Sequence, residues 1–427
     1  MAQALVLEGT ATRVKIPNLR WLLITIPLFI INIISMVDKV GVSVLISNKP
    51  FLQDMDLIGK PALVGLLMSS FLVSYSICQF GWAYVVKRFG PRICAITGII
   101  IWGVTLFLSG IAQGIGALIW ARVILGIGEG VTYPAAHAFV ANWFPVKERA
   151  RATSIWLNGV PIGPAVAGAL VVAIVAAGGW RGVFFGLAAI SIVIPLPLLI
   201  FLMRNKPRQH PWVAEAEIRH IEEGSLAKTK EVPKTGGNEA FLRNYRFWLL
   251  AVGWGCSAFF FWGWTTWMPT YFRTAHHFSF QAAGYLYSLT FAFAALTNLA
   301  MGYFSDRRMR RAPFCTGLCV IAGVMMYIGG NVISDPYRAF GVLIIALCAQ
   351  QPALLMIHTL LHSIVPEGSV GAASGVGSAV ASFMAMASPA IGGFLLQVSG
   401  FGAVVAALSC SILLAGFCIF FLAKQGY

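Results

Sequence analysis

Twelve long apolar stretches dominate the chain, at about 21–43, 62–86, 92–112, 116–142, 152–176, 180–203, 246–272, 281–303, 312–333, 338–362, 369–394 and 399–423. Each approaches or exceeds the ~20 residues that an α-helix needs to cross a bilayer. They are too long for membrane β-strands, which need only about ten alternating residues. Charged residues make up 11% of the 427 positions and mean hydropathy is +0.80. That charge density is under half the ~25% usual in soluble domains. The chain therefore reads as an all-α integral membrane protein with twelve transmembrane helices. The first apolar run is too long for a signal-peptide core, so it is expected to remain as a span.

The net charge of +15 would suggest nucleic acid only if its distribution were ignored. With the N-terminus inside, 23 of the 30 Lys and Arg fall in segments on one side, among them Lys87, Arg88, Lys147 and Arg307. Membrane topology explains that bias. It places both termini in the cytoplasm and the chain in the inner (plasma) membrane. The expected organisation is a tail (1–20), a six-helix bundle (21–203), a cytoplasmic linker with a short amphipathic helix (204–245), a second six-helix bundle (246–423) and a tail (424–427). The linker reads as a solvated connection between halves, with partner binding as the alternative. The eight cysteines lie in apolar runs without a zinc-type Cys/His set, and read as core residues. No cofactor and no metal is expected.

The halves echo each other. Gly163-Pro164-Ala165-Val166-Ala167-Gly168 in span five parallels Ser388-Pro389-Ala390-Ile391-Gly392-Gly393 in span eleven, at an offset of 225 residues. Lys87-Arg88 after span two parallels Asp306-Arg307 after span eight, at 219. Matching features at matching spans indicate a parallel repeat, two bundles related by a pseudo-two-fold axis. Such transporters bind substrate near the midplane and rock the halves around it.

Four full charges fall inside the apolar runs, all in the first half: Asp38, Lys39, Arg122 and Glu129. Intramembrane charges are costly and default to functional sites. Arg122 and Glu129 are seven residues apart, nearly two helical turns, so they share a face roughly 10 Å apart along the axis. The four sum to zero when all are ionised, and the two acids and two bases can pair across spans one and four. Burial raises a carboxyl pKa and a nearby cation lowers it. A carboxyl whose cation is drawn off by an anionic substrate thus takes a proton more readily. Asp38 and Glu129 are the candidate proton-coupling groups, and Lys39 and Arg122 the candidate anion holders. A purely static charge lock is the alternative. Tyr75, Asn158, Trp262, Gln350, Ser378 and Ser382 are candidate cavity residues, with His137 and His358 as neutral-pH titrating groups. Trp264, Trp267 and Tyr271 crowd the same span as Trp262.

The stretch RVILGIGEGVTYPAA (122–136) with NWFPVKERARA (142–152), plus Asp38 and a following cation, resembles the major facilitator superfamily and, within it, the anion:cation symporter family. The resemblance, which extends in hydropathy over the whole chain, implies the major facilitator fold. It implies proton-coupled uptake of a small organic carboxylate (a sugar acid, an aromatic or a short aliphatic acid), with Asp38 and Glu129 as coupling carboxylates. It makes Arg122 the partner of the span-one acid and Tyr75 a cavity residue, and implies no enzyme. Members of that family include bacterial galactonate, hexuronate, tartrate and phthalate carriers and animal vesicular glutamate and sialic acid carriers.

There are departures. The residue after the span-one acid is usually Arg in that family, and Lys39 keeps the charge without the bidentate fork. The superfamily's Asp-Arg-x-Gly loop reads Lys87-Arg88-Phe89-Gly90, leaving Arg88 without the bracing acid, while Asp306-Arg307 is retained as the second-half gating element. Ser378 and Ser382 stand where members often carry asparagines, which leans the substrate away from polyhydroxy acids. The expected partners are an organic anion, protons and the bilayer, with no nucleic acid, and function as a monomer. The competing reading is a proton-driven antiporter exporting drugs or metabolites, because Gly159, Gly163-Pro164 and Gly168 resemble the antiporters' span-five motif. A transport-like sensor or membrane enzyme is the third.

Overall fold

The structure is a computed structural model, and it describes residues 18–226, 240–305, 311–366 and 369–426. Asp306 and Arg307, the expected gating pair of the second half, lie outside the described residues. The described chain is helical throughout, with ten helical segments long and apolar enough to cross a membrane.

These are α1 (Trp21–Leu45), α2 (Pro61–Phe89), α3 (Pro91–Ile111), α4 (Ile115–Trp143), a continuous segment Val146–Leu202, then α7 (Tyr245–Thr274), α9 (Arg311–Val332), α10 (Pro336–Ile364), α11 (Val370–Ser399) and α12 (Phe401–Lys424). At 57 residues, Val146–Leu202 is long enough to cross twice. It bends at Gly178 and Gly179, and Gly179 has φ +67°, a left-handed backbone open to glycine at no steric cost. We name its limbs α5 (146–178) and α6 (179–202). Helix α8 (Phe280–Ser305), 26 residues, supplies the remaining crossing. Six plus six is the arrangement that the apolar stretches predict.

Local chemistry sets the boundaries. Pro61, Pro91 and Pro336 open α2, α3 and α10, where the missing N–H is not needed. Gly90, at φ +88°, turns α2 into α3, and a side chain there would also meet the Asn205 amide at 2.8 Å. The linker carries the helix Glu215–Leu226. It docks on the first half through Arg20, whose Nη1 donates to Glu217 Oε1 at 2.8 Å while its Nε donates to Glu148 Oε2 at 3.0 Å. Glu217 is fully buried there.

Small residues let the halves meet, as membrane bundles require. On α2, Gly65 faces the α11 backbone, and an added Cβ would lie 2.4 Å from Pro389 O. On α5, an added Cβ at Gly168 would lie 2.2 Å from Gly284 O of α8. Each crossing carries one hydrogen bond of the same type. Ala390 N of α11 donates to Ser69 Oγ at 3.1 Å, and Ala169 N of α5 donates to Ser288 Oγ at 2.9 Å. Gly65 and Ser69 precede Gly284 and Ser288 by 219 positions, so the two contacts are pseudo-symmetry mates. Both repeats seen in the sequence, Gly163–Gly168 and Ser388–Gly393, supply helix crossings.

Most tryptophans of α7 are core. Trp264 stacks on Tyr287 at 6.0 Å and meets Phe291 edge-on at 5.5 Å, and Trp267 donates to Pro389 O at 3.3 Å. Large apolar side chains on the outer faces, such as Phe80, Trp120 and Phe201, are strongly exposed, as lipid-facing positions are.

Candidate functional site: a buried charge cluster at the seam

Asp38 and Lys39 are consecutive on α1, so their side chains leave the helix about 100° apart and address different neighbours. Asp38 turns to α3, where Trp102 Nε1 donates to its Oδ2 at 2.8 Å. Lys39 turns to α4 and donates to Glu129 Oε2 at 2.6 Å. Ser35, one turn before Lys39 on the same face, donates to the same Glu129 oxygen at 2.8 Å and hydrogen-bonds the Lys39 ammonium. The Lys39 Nζ also lies 4.6 Å from the centroid of the Tyr75 ring on α2. All four charged side chains are at most 1% exposed.

Glu129 is the last residue of the first stretch of α4, Ile115–Glu129. The helix is interrupted at Gly130–Val131 and resumes at Thr132. Pro134, inside the next turn, offers no N–H to the carbonyl four residues earlier. Thr132 Oγ1 takes up the Glu129 carbonyl at 2.7 Å. The hydrogen-bonded ladder is therefore interrupted just after the residue that carries the charge.

Polar atoms without hydrogen-bond partners concentrate here: Asp38 Oδ1, Glu129 Oε1, Arg122 Nε and Nη2, Tyr75 OH and Thr266 Oγ1. Buried groups of this kind are rare in a folded protein and each needs a reason. The two carboxyls also act directly on one another, so a single proton on either oxygen would turn two orphaned acceptors into a donor and an acceptor. The Arg122, Tyr75 and Thr266 atoms are all donors. A narrow cavity with room for roughly one water lies among them, lined by Lys39, Met68, Phe71, Leu72, Arg122, Trp262 and Thr266. It spans α1, α2 and α4 of the first half and α7 of the second, so it sits on the seam that rocking would open.

The structure brings together six of the residues that the sequence singles out: Asp38, Lys39, Tyr75, Arg122, Glu129 and Trp262. One pairing differs from the expectation. Arg122 forms no ion pair with Asp38; its guanidinium carbon stands 5.8 Å from the Phe71 centroid, and Asp38 takes the Trp102 indole instead. Gln350 is fully buried and donates to Ser257 Oγ at 3.0 Å, so it ties α10 to α7. Asn158 is exposed and donates to Ser154 O of its own helix. Ser378 is exposed and Ser382 half-buried on α11, neither bordering the cavity. His358 lies edge-on to Trp254 at 4.3 Å, and His137 to Trp156 at 5.5 Å. Arg88 is exposed at the end of α2. Sequence reasoning missed Ser35, Trp102 and Thr266. Ser35 was findable as the i−4 neighbour of Lys39, and Trp102 as a mid-span indole in need of an acceptor.

Two six-helix halves closing on a charged, sealed seam define a membrane transporter and not an enzyme. The chain belongs to the Major Facilitator Superfamily, whose profile matches residues 28–389. It is 28% identical over 382 residues to a probable sulfoacetate transporter of Cupriavidus necator, covering 86% of this chain and 85% of that one. It is 25% identical to a D-galactonate transporter of Escherichia coli, covering 93% and 94%. Human sialin is 30% identical over 266 residues, 60% of this chain and 52% of sialin. Among solved structures, a bacterial homologue of the human lysosomal transporter Spinster, crystallised inward-facing and unoccupied, superposes with a TM-score of 0.77 at 20% identity, covering 96% and 98%.

Proposed function

We propose that the protein is a proton-coupled symporter that brings a small organic anion into the cell by alternating access, working as a monomer in the inner membrane with both termini cytoplasmic. The observation that carries this reading is the set of donors without acceptors on the seam. Arg122 Nε and Nη2 and Thr266 Oγ1 have no hydrogen-bond partner among the described residues, and Lys39 stands beside them. Burying guanidinium donors without acceptors is costly, at about 1–3 kcal/mol per group. An anion's oxygens between Arg122, Thr266 and Lys39 offset that cost. The names of the relatives, sulfoacetate and D-galactonate transporters, share an acidic cargo.

Charge balance supplies the coupling. With Asp38 and Glu129 ionised, Lys39 and Arg122 leave the cluster neutral. One proton shared by the facing carboxyls leaves an excess of one positive charge, which a monoanion cancels. Proton and anion therefore favour each other's binding, and linkage makes the effect reciprocal. An anion that draws Lys39 off Glu129 strengthens the same tendency.

The glycines that suggested an antiporter are accounted for by packing. Gly159 and Gly163 sit against Asn32, Ile33 and Met36 of α1, and Gly168 against α8. The Lys and Arg bias puts the ends of α2 and α4 inside. The Gly65 and Gly168 crossings then close the outer end.

Calorimetry of the purified protein with carboxylate and sulfonate pools, run in two buffers of different ionisation heat, tests this. Uptake of about one proton per bound monoanion is expected from the neutral-cluster arithmetic. Anion binding without proton uptake would remove the coupling. Binding of hydrophobic cations alone would restore the antiporter.

A further inference from the structure

We propose that Arg92 and Arg204 form a binding site for the phosphate of an anionic lipid headgroup. The site lies where α2 turns into α3 and α6 ends. Asn205 locks the two together: its Oδ1 accepts from Arg92 N at 2.9 Å, and its side chain fills the space beside Gly90. From the other side, Trp143 Nε1 donates to Arg204 O at 2.8 Å and Asn142 Nδ2 to Asn205 O at 3.0 Å. The segment is held on both flanks, so the arginines project from a fixed frame.

Both guanidiniums spend part of their donor set on the carbonyls that end α6. Arg92 gives Nε to Leu199 O at 3.0 Å and Nη2 to Ile200 O at 2.7 Å, and Arg204 gives Nη1 to Ile200 O at 2.7 Å. Nη1 of Arg92 and Nε and Nη2 of Arg204 have no acceptor among the described residues. The two cations are close enough to repel one another. No carboxylate pairs with either among the described residues. Exposed Lys87 precedes them in the last turn of α2, and exposed Lys206 follows. Two adjacent forks sharing carbonyls at a helix end, with three N–H groups left over, match a tetrahedral phosphate with several oxygens.

A lipid is favoured over a soluble anion because the flanking side chains face hydrocarbon. Phe89, Ile93 and Phe201 are 57%, 59% and 69% exposed around the pair, at the level where spans end. Basic pockets between helices on the cytoplasmic side are where anionic headgroups bind.

The test is native mass spectrometry of the full chain, purified with equal amounts of phosphatidylglycerol and phosphatidylcholine. Roughly thirtyfold preferential retention of phosphatidylglycerol is expected from about 1 kcal/mol for each of the two arginines. Arg204→Gln should cut that preference by about fivefold, leaving what Arg92 alone supplies, and Lys60→Gln, at the opposite end, should leave it unchanged. If Arg204→Gln fails to fold, Arg204→Lys keeps the charge, loses the fork, and should give an intermediate preference. Parity in the native protein would overturn the site, as would a preference untouched by both Arg204 variants. Complete displacement by millimolar inorganic phosphate, with equal thermal stabilisation in detergent, would make it a soluble-anion site and overturn the lipid.

Discussion

The Lys39 ammonium lies 2.6 Å from Glu129 Oε2, both side chains fully buried, across ninety positions of sequence and between α1 and α4. The pair is stabilising only as a pair. Its desolvation is offset by mutual attraction and by Ser35, which donates to the same oxygen. Removing either partner leaves a charge stranded in the bundle.

Lys39→Met is therefore expected to lower stability by about 3–5 kcal/mol, and Glu129→Gln by less, because the stranded Lys39 ammonium keeps Ser35 Oγ and the new amide oxygen as acceptors and can shed its proton. The double variant should recover much of the loss, giving a coupling energy of about 0.5–3 kcal/mol. Thermal unfolding of the four proteins in detergent measures it. Additive losses would mean that the two side chains do not interact.

Trp102 is the donor that holds Asp38. Trp102→Phe keeps most of the ring packing and deletes the indole N–H, so about 1–3 kcal/mol should be lost. Trp102→Ala should cost more, about 3–5 kcal/mol, through the added cavity. If Trp102→Phe melts with the native protein, the indole is not holding the carboxylate.

Gly168 leaves no room for a side chain against Gly284 O. Gly168→Val should wedge α5 from α8 and open the end at which these helices cross. A cysteine at Thr266, in a background without the native cysteines, should then react several-fold faster with an impermeant maleimide added from the Lys60 side. An unchanged rate would show that this crossing does not close the cavity.

The linker carries a pH-sensitive contact. His210 accepts from Trp212 N at Nδ1, 3.2 Å, and holds Leu202 O through Nε2 at 3.1 Å, so the ring is neutral when docked. Burial pushes this imidazole below its ordinary value; the Leu202 carbonyl opposes the shift and Arg204 adds to it. The unfolded linker thus binds a proton first. Docking is at full strength above the ordinary value of ~6.5 and weakens as pH falls through the lowered one. Proteolysis at Trp212 should speed up between about pH 7.5 and pH 5.5, and His210→Gln should flatten the profile. Equal cleavage of the native protein at both values would contradict this.

The spans and the four buried charges were legible from hydropathy and from the rarity of charge in apolar runs. The partners were not. Asp38 and Lys39 diverge on α1, and only the placement of α3 and α4 decides that one meets an indole and the other a carboxylate. Trp264 and Trp267 could not be told from cavity residues, because aromatic crowding has the same signature in a core and in a pocket. Gly65-Ser69 and Gly284-Ser288 went unnoticed because two small residues one turn apart are common in any apolar helix. Their meaning appears only when each serine receives an amide from the facing span.

The most direct measurement follows lumenal pH in proteoliposomes carrying a trapped dye, given pooled organic acids from outside. Lumenal acidification that needs the protein and is abolished in Glu129→Gln is the expected result, because anion and proton then enter together. Anion uptake with no change of lumenal pH, or acidification that survives in Glu129→Gln, would contradict coupling through the Lys39–Glu129–Asp38 cluster.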